Sequence, residues 1–139
     1  MARISVEEYH QLLRNLGQTI PGDGDFVVSH KRSKYNAKKV PLDGFIFDSK
    51  KEAQVYVEKK WELCAGLITD LWVHTRFPLV VGEKIIGHYE DDLDFVEVKT
   101  QEWIVLDVKS EHTRKLPMYQ RNRKHMLQQY GINILEVIR

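Results

Sequence analysis

Cysteine is all but missing from this chain of 139 residues, where Cys64 stands alone. A lone thiol excludes an internal disulfide and a cysteine-built zinc site. The chain also lacks any apolar run near the roughly 20 residues that span a bilayer. Residues Met1 to Glu8 hold no apolar stretch of the secretory kind. A charge excess is absent too, because 21 Lys and Arg stand against 20 Asp and Glu, leaving a net +1. Bulk electrostatics therefore do not announce a polyanion binder. There is no glycine-rich phosphate loop, no dinucleotide fingerprint and no Ser-His-Asp order. The resulting expectation is a soluble protein of a reducing cytoplasm, without a membrane partner, long enough to fold around one core without covalent staples.

The charges are unevenly placed. Lys31, Arg32, Lys34, Lys38 and Lys39 crowd one segment, and Arg114, Lys115, Arg121, Arg123 and Lys124 crowd another. Between them lies the acidic run Glu90, Asp91, Asp92 and Asp94. An acidic spot flanked by basic segments suits a site where a cation meets a polyanion.

Periodicity predicts a first helix from Ser5, with Glu8 completing a capping box and Tyr9, Leu12, Leu13 and Leu16 on one face. Residues 17–44 read as a linker with a basic arm, which divides the chain into 1–44 and 45–139. Phe45-Ile46-Phe47 is a short apolar run. A helix follows, capped by Asp48 or Ser49 and closed by Gly66. Leu71 to Val81 has strand composition, with Pro78 marking an edge or bend. Leu93 to Val98 and Trp103 to Lys109 read as an antiparallel hairpin. A helix over about 117–130 should turn Met118, Met126, Leu127 and Tyr130 to the core, before a last strand from Ile132. Trp61, Trp72, Trp103 and Cys64 are expected to be packing residues.

Asp107-Val108-Lys109 is the sharpest chemical feature. Strand period two sends Asp107 and Lys109 to the same face, where neither belongs without a partner. A turn centred near Thr100-Gln101 would make Asp94 the cross-strand neighbour of Asp107, although the register around Asp91, Asp92 and Asp94 stays open by a residue or two. Facing carboxylates repel unless a cation lies between them. Oxygen ligands of this kind suit Mg²⁺ (or Mn²⁺), and Lys109 could orient or deprotonate an attacking water or hold a phosphate oxygen. His74, His88, His112 and His125 have no tight metal spacing, so zinc is not expected.

Lys34-Tyr35-Asn36-Ala37-Lys38-Lys39-Val40 and Asp43-Gly44-Phe45-Ile46-Phe47-Asp48-Ser49-Lys50-Lys51-Glu52-Ala53 resemble a family of small phage and prophage proteins of unknown function, related to the PD-(D/E)xK nuclease superfamily. Ala65 to Leu71, Leu93-Asp94-Phe95, Leu106 to Lys109, Thr113 and Tyr130 to Val137 continue the likeness over nearly the whole chain. The resemblance implies an α/β, restriction-endonuclease-like core in the order α-β-β-β-α-β, its mixed four-stranded sheet flanked by helices. It places Glu52, Asp94, Asp107 and Lys109 in the catalytic site, the three acids as metal ligands, and Gln120 as a helper. Ser110 stands where a glycine is expected, and Asn122 where a lysine is expected. The implied activity is a Mg²⁺- or Mn²⁺-dependent DNA endonuclease of phage recombination in a bacterial host, selective for a junction or flap. Lys34, Lys38, Lys39, Arg114, Lys115, Arg121, Arg123 and Lys124 would contact phosphates, and a homodimer would suit a two-fold junction. Two alternatives stand beside it. One is a catalytically silent nucleic-acid-binding module, and the other a protein-interaction module that uses the amphipathic N-terminal helix.

Overall fold

The computed structural model describes residues 3–18 and 39–139. Lys34, Lys38 and most of the basic arm lie outside the described residues. The chain runs α1 (Val6–Asn15), β1 (Val40–Leu42), β2 (Phe45–Phe47), α2 (Lys50–Cys64), β3 (Ile68–Val73), β4 (Arg76–Val81), β5 (Lys84–Glu90), β6 (Leu93–Glu97) and β7 (Trp103–Lys109). A short 3-10 turn, Thr113–Lys115, then leads into α3 (Pro117–Tyr130) and β8 (Leu135–Ile138). The described residues are mixed α/β, and no helix among them is long and apolar enough to cross a membrane.

Four strands form one sheet in the order β3-β6-β7-β8, with β7 and β8 parallel and the other neighbours antiparallel. The hairpin expected from the 93–109 alternation is β6 and β7, paired Leu93↔Leu106 through Val96↔Trp103. Its loop is closed by Gln101 N donating to Glu97 O at 2.8 Å, with Gln101 in the left-handed region at φ 58°. The parallel β7–β8 pair needs a long crossover, which α3 supplies.

Alternation along β7 divides the interior in two. Trp103 and Val105 join Tyr9, Leu13, Phe77, Met126 and Tyr130 on the face covered by α1 and α3. Leu106 joins Phe47, Val55, Tyr56, Ile68 and Phe95 on the face covered by α2. Alpha1 has the capping box that its sequence specifies: Glu8 N donates to Ser5 Oγ at 3.2 Å, and Ser5 N to Glu8 Oε2 at 2.8 Å. It is built into the interior, because Tyr9 is fully buried, its hydroxyl donates to Arg76 O, and its ring lies 5.3 Å from Trp103.

Several expectations need correction. Residues 40–44 are not linker: β1 and β2 form a hairpin across Asp43-Gly44, both with positive φ (51° and 82°). An Asp-Gly pair between apolar residues favours this tight turn. The 71–81 run is two strands, broken at His74-Thr75, and β4 leaves the main sheet to pair with β5. Pro78 is accommodated because that ribbon has only two strands. Its carbonyl accepts from the Tyr130 hydroxyl and from Gln129 Nε2 at 3.1 Å. Trp61 is 73% exposed, and Cys64, Met118 and Leu127 are exposed as well. Alpha2 and α3 each bury one narrow stripe, and these residues lie off it.

The packing of α1 has a measurable cost. Truncating Tyr9 to Ala should lower unfolding stability by about 3–5 kcal/mol, and Leu13 to Ala by about 2–5 kcal/mol. Urea unfolding followed by tryptophan fluorescence checks both. Losses below about 0.5 kcal/mol would mean that α1 does not belong to the cooperative core.

Candidate active site

Glu52 lies in the first turn of α2. Ser49 caps the helix and accepts from Glu52 N at 3.2 Å, while Glu52 Oε2 accepts from Asp48 N at 3.2 Å. The first turn ordinarily favours an anion. Here burial, then the charge of Asp48 and that of Asp107, push the Glu52 carboxyl up to about 7, against the amide of Asp48 and the ammonium of Lys109.

Asp92 follows Asp91 in the tight connection between β5 and β6. The outermost β6–β7 pair is Leu93↔Leu106, so one step further along the strands Asp92 stands opposite Asp107. Asp92 Oδ2 accepts from Val108 N at 2.7 Å, and its own N–H donates to Leu106 O at 3.3 Å. Its surface is partly open to solvent, yet protein surrounds its carboxyl. Burial raises the pKa well above the carboxylate range, and Asp107 and Glu52 add to the rise.

Asp107 is 2% exposed. Tyr89 donates its hydroxyl to Oδ2 at 2.6 Å, and Lys109 Nζ lies 2.8 Å from Oδ1. Lys109 also rests 4.6 Å from the centre of the Tyr119 ring. Tyr119 in turn donates to Glu136 Oε1 at 2.9 Å.

The structure therefore pairs Asp107 with Lys109 and sets Glu52 where the charges of both act on it, and it does not bring Asp94 to them. Asp94 lies one strand repeat deeper, opposite Val105. Its oxygens accept from Thr75 Oγ1 at 2.5 Å and Trp103 Nε1 at 2.9 Å. Asp92 takes the cross-strand position instead. The turn is centred between Lys99 and Thr100, and moving a hairpin centre by one residue changes the cross-strand partner by two.

His74 is a second residue that the sequence spacing did not point to. It follows β3 with a left-handed φ of 55°, and its N–H donates to Asp92 O at 3.3 Å. One donor atom each from Glu52, His74 and Asp92 lie within 4.8 Å of one another. The available signal was the polar pair His74-Thr75 interrupting an apolar run.

The basic residues divide into two groups. Glu136 of β8 holds Arg114 at 3.2 Å and Arg123 at 2.9 Å, and Arg114 also meets Glu111 at 3.8 Å. Lys115, Arg121 and Lys124 are exposed, whereas Lys39 is half-buried and has a partner. The Gln120 side-chain amide donates to Arg114 O and so fixes the turn that carries Arg114.

The chain belongs to the family described as a protein of unknown function, DUF1064, whose model matches residues 32–137. That span includes Glu52, His74, Asp92, Asp107 and Lys109 and leaves out α1. No curated protein and no solved structure matches the chain.

The shift at Glu52 has a definite sign. The unfolded carboxyl titrates near 4.5 and the folded one near 7, so the folded chain holds more protons between those values. Stability should fall as pH rises across that interval, and the full penalty, roughly 3 kcal/mol, is present above it. Glu52→Gln removes the ionised group. In chelator-treated protein its urea midpoint should exceed the parent's at about pH 8 and match it at about pH 4. Equal midpoints at the higher pH would contradict the burial and charge repulsion assigned to Glu52.

Proposed function

We propose that this chain is a divalent-metal-dependent phosphodiesterase of the PD-(D/E)xK type, acting as an endonuclease on DNA. The observation that carries the reading is the convergence of Glu52, Asp92 and Asp107 from α2, the β5–β6 connection and β7, with the Lys109 ammonium 2.8 Å from Asp107. The sequence α2-β3-β6-β7-α3-β8, with β4 and β5 as an inserted ribbon, supports a restriction-endonuclease-like core.

The donor set fits a divalent cation on its own chemistry. Three carboxyls crowd together, and the Lys109 ammonium balances one charge at most. A divalent ion bound among them would polarise a phosphate oxygen and acidify the attacking water. Asp107 stays fixed by the Tyr89 hydroxyl, which leaves Oδ1 to exchange between Lys109 and a ligand. Lys109 can turn its ammonium to a non-bridging phosphate oxygen or to the entering water, with its stem steadied over Tyr119. Lys115, Arg121 and Lys124 offer exposed charge to the strand on either side.

Cleavage of supercoiled plasmid, linear duplex, flap and four-way junction in Mg²⁺, Mn²⁺ or chelator tests the proposal. Asp92→Asn, Asp107→Ala and Lys109→Ala should each lower the rate by roughly a hundredfold or more with the fold intact. Asp94→Asn should instead lower stability by about 1–3 kcal/mol, because it disturbs a buried hydrogen-bond set. Unchanged plasmid nicking in both the Asp107 and Lys109 variants would rule the hydrolytic reading out. Salt-dependent DNA binding without products under any metal would favour a silent binding module on the same fold.

A further inference from the structure

His74 has no place in the mechanism above, yet the fold commits it to the same spot. Its backbone adopts φ 55°, in the left-handed region that few non-glycine residues occupy and that Asn, Asp and His enter most often. The N–H of His74 is tied to Asp92 O at 3.3 Å, so the ring is carried by the segment that positions Asp92. Phe47 lies against the imidazole, ring centres 5.7 Å apart, and limits its freedom from behind. Among the described residues no hydrogen bond occupies either ring nitrogen, and one nitrogen lies within 4.8 Å of oxygens of both Glu52 and Asp92. An imidazole held open against two carboxyls is a mixed nitrogen and oxygen donor set.

We infer that His74 is a third protein ligand of the Glu52–Asp92 cation site, and that this site takes a first-row transition-metal dication in preference to Mg²⁺. The assignment builds on the cation site of the preceding proposal but not on DNA cleavage. Mg²⁺ is a hard ion that keeps water and oxygen ligands, whereas imidazole nitrogen suits ions further along the first row. The Asp107 carboxyl acts on Asp92 through its charge, and Lys109 Nζ lies 2.8 Å from Asp107 Oδ1. Glu52, His74 and Asp92 would hold the ion, and the neighbouring Asp107–Lys109 pair would remain for a phosphate.

Calorimetric titration of the full chain with Mn²⁺, Co²⁺ and Mg²⁺, together with electron spin-echo spectroscopy of the Mn²⁺-loaded protein, tests this assignment. Both transition ions should bind at least roughly tenfold more tightly than Mg²⁺, Co²⁺ more tightly than Mn²⁺, and the bound Mn²⁺ should show nitrogen modulation. His74→Asn is the informative variant, because Asn tolerates the left-handed backbone and so preserves the loop. It should abolish the nitrogen modulation and weaken Co²⁺ binding by roughly 10–100-fold, with Mg²⁺ binding little changed. His74→Ala, checked for fold by circular dichroism, should do the same. Equal affinities for the three ions, or nitrogen modulation that survives in both variants, would overturn the assignment even if DNA were cleaved in Mg²⁺. The predicted metal preference without cleavage would leave the assignment standing and remove the nuclease reading instead.

Discussion

The antiparallel register of β6 on β7 governs the chemistry of this molecule. With Leu93 opposite Leu106, the next step along the strands sets Asp92 against Asp107, and Val108 N binds the Asp92 carboxyl directly. A slip of two residues would trade Asp92 for Asp94 and break the bonds that Asp94 now makes with Trp103 and Thr75. The loop from Glu97 to Glu102 fixes that choice. Glu97 N donates to Glu102 O and Gln101 N to Glu97 O, and with the left-handed Gln101 these bonds set the turn length and so the pairing.

Holding these acids together is unfavourable in the absence of a cation, and the surroundings show how it is sustained. Each carboxyl is met by a donor from a rigid element: Glu52 by the Asp48 amide, Asp92 by the Val108 amide, Asp107 by Tyr89 and Lys109. Two aromatic interiors, one on each face of the sheet, hold the strands that carry those donors. Local strain of this kind is sustained where the rest of the structure over-determines it. Glu136 extends the support outward, because it fixes Arg114, Arg123 and Tyr119, and the Tyr119 ring steadies Lys109.

Much of this was legible in the residues. The capping box at Ser5, the helices ending at Gly66 and Gly131, the β6–β7 hairpin and the Asp107–Lys109 pair all follow from local rules with short reach. The β1–β2 hairpin was equally local, in Asp43-Gly44, but was masked by the turn-rich stretch before it. The rest depended on distance information that a linear pattern lacks. A hairpin centre read one residue late exchanged Asp94 for Asp92. His74 reaches the cluster through a break between strands, with no spacing to its partners that a motif could encode. The exposure of Trp61, Cys64, Met118 and Leu127 depends on which side of each helix meets the sheet, and residue type alone does not decide that.

The β4–β5 ribbon leaves and re-enters the fold through a clasp, where Asp91 N donates to Thr75 O at 3.0 Å and Thr75 N to Asp91 Oδ1 at 2.8 Å. Its base is integral, because Phe77 is buried in the interior and Tyr89 binds Asp107. Its far end, around Val81 and Gly82, projects as an exposed tip. The excursion is thus anchored at its root and again at Val80, which α3 holds through Gln129 at 2.9 Å and His125 at 3.2 Å, so that only the exposed turn lies beyond both anchors. For the laboratory this marks the tip as an attachment site for a probe.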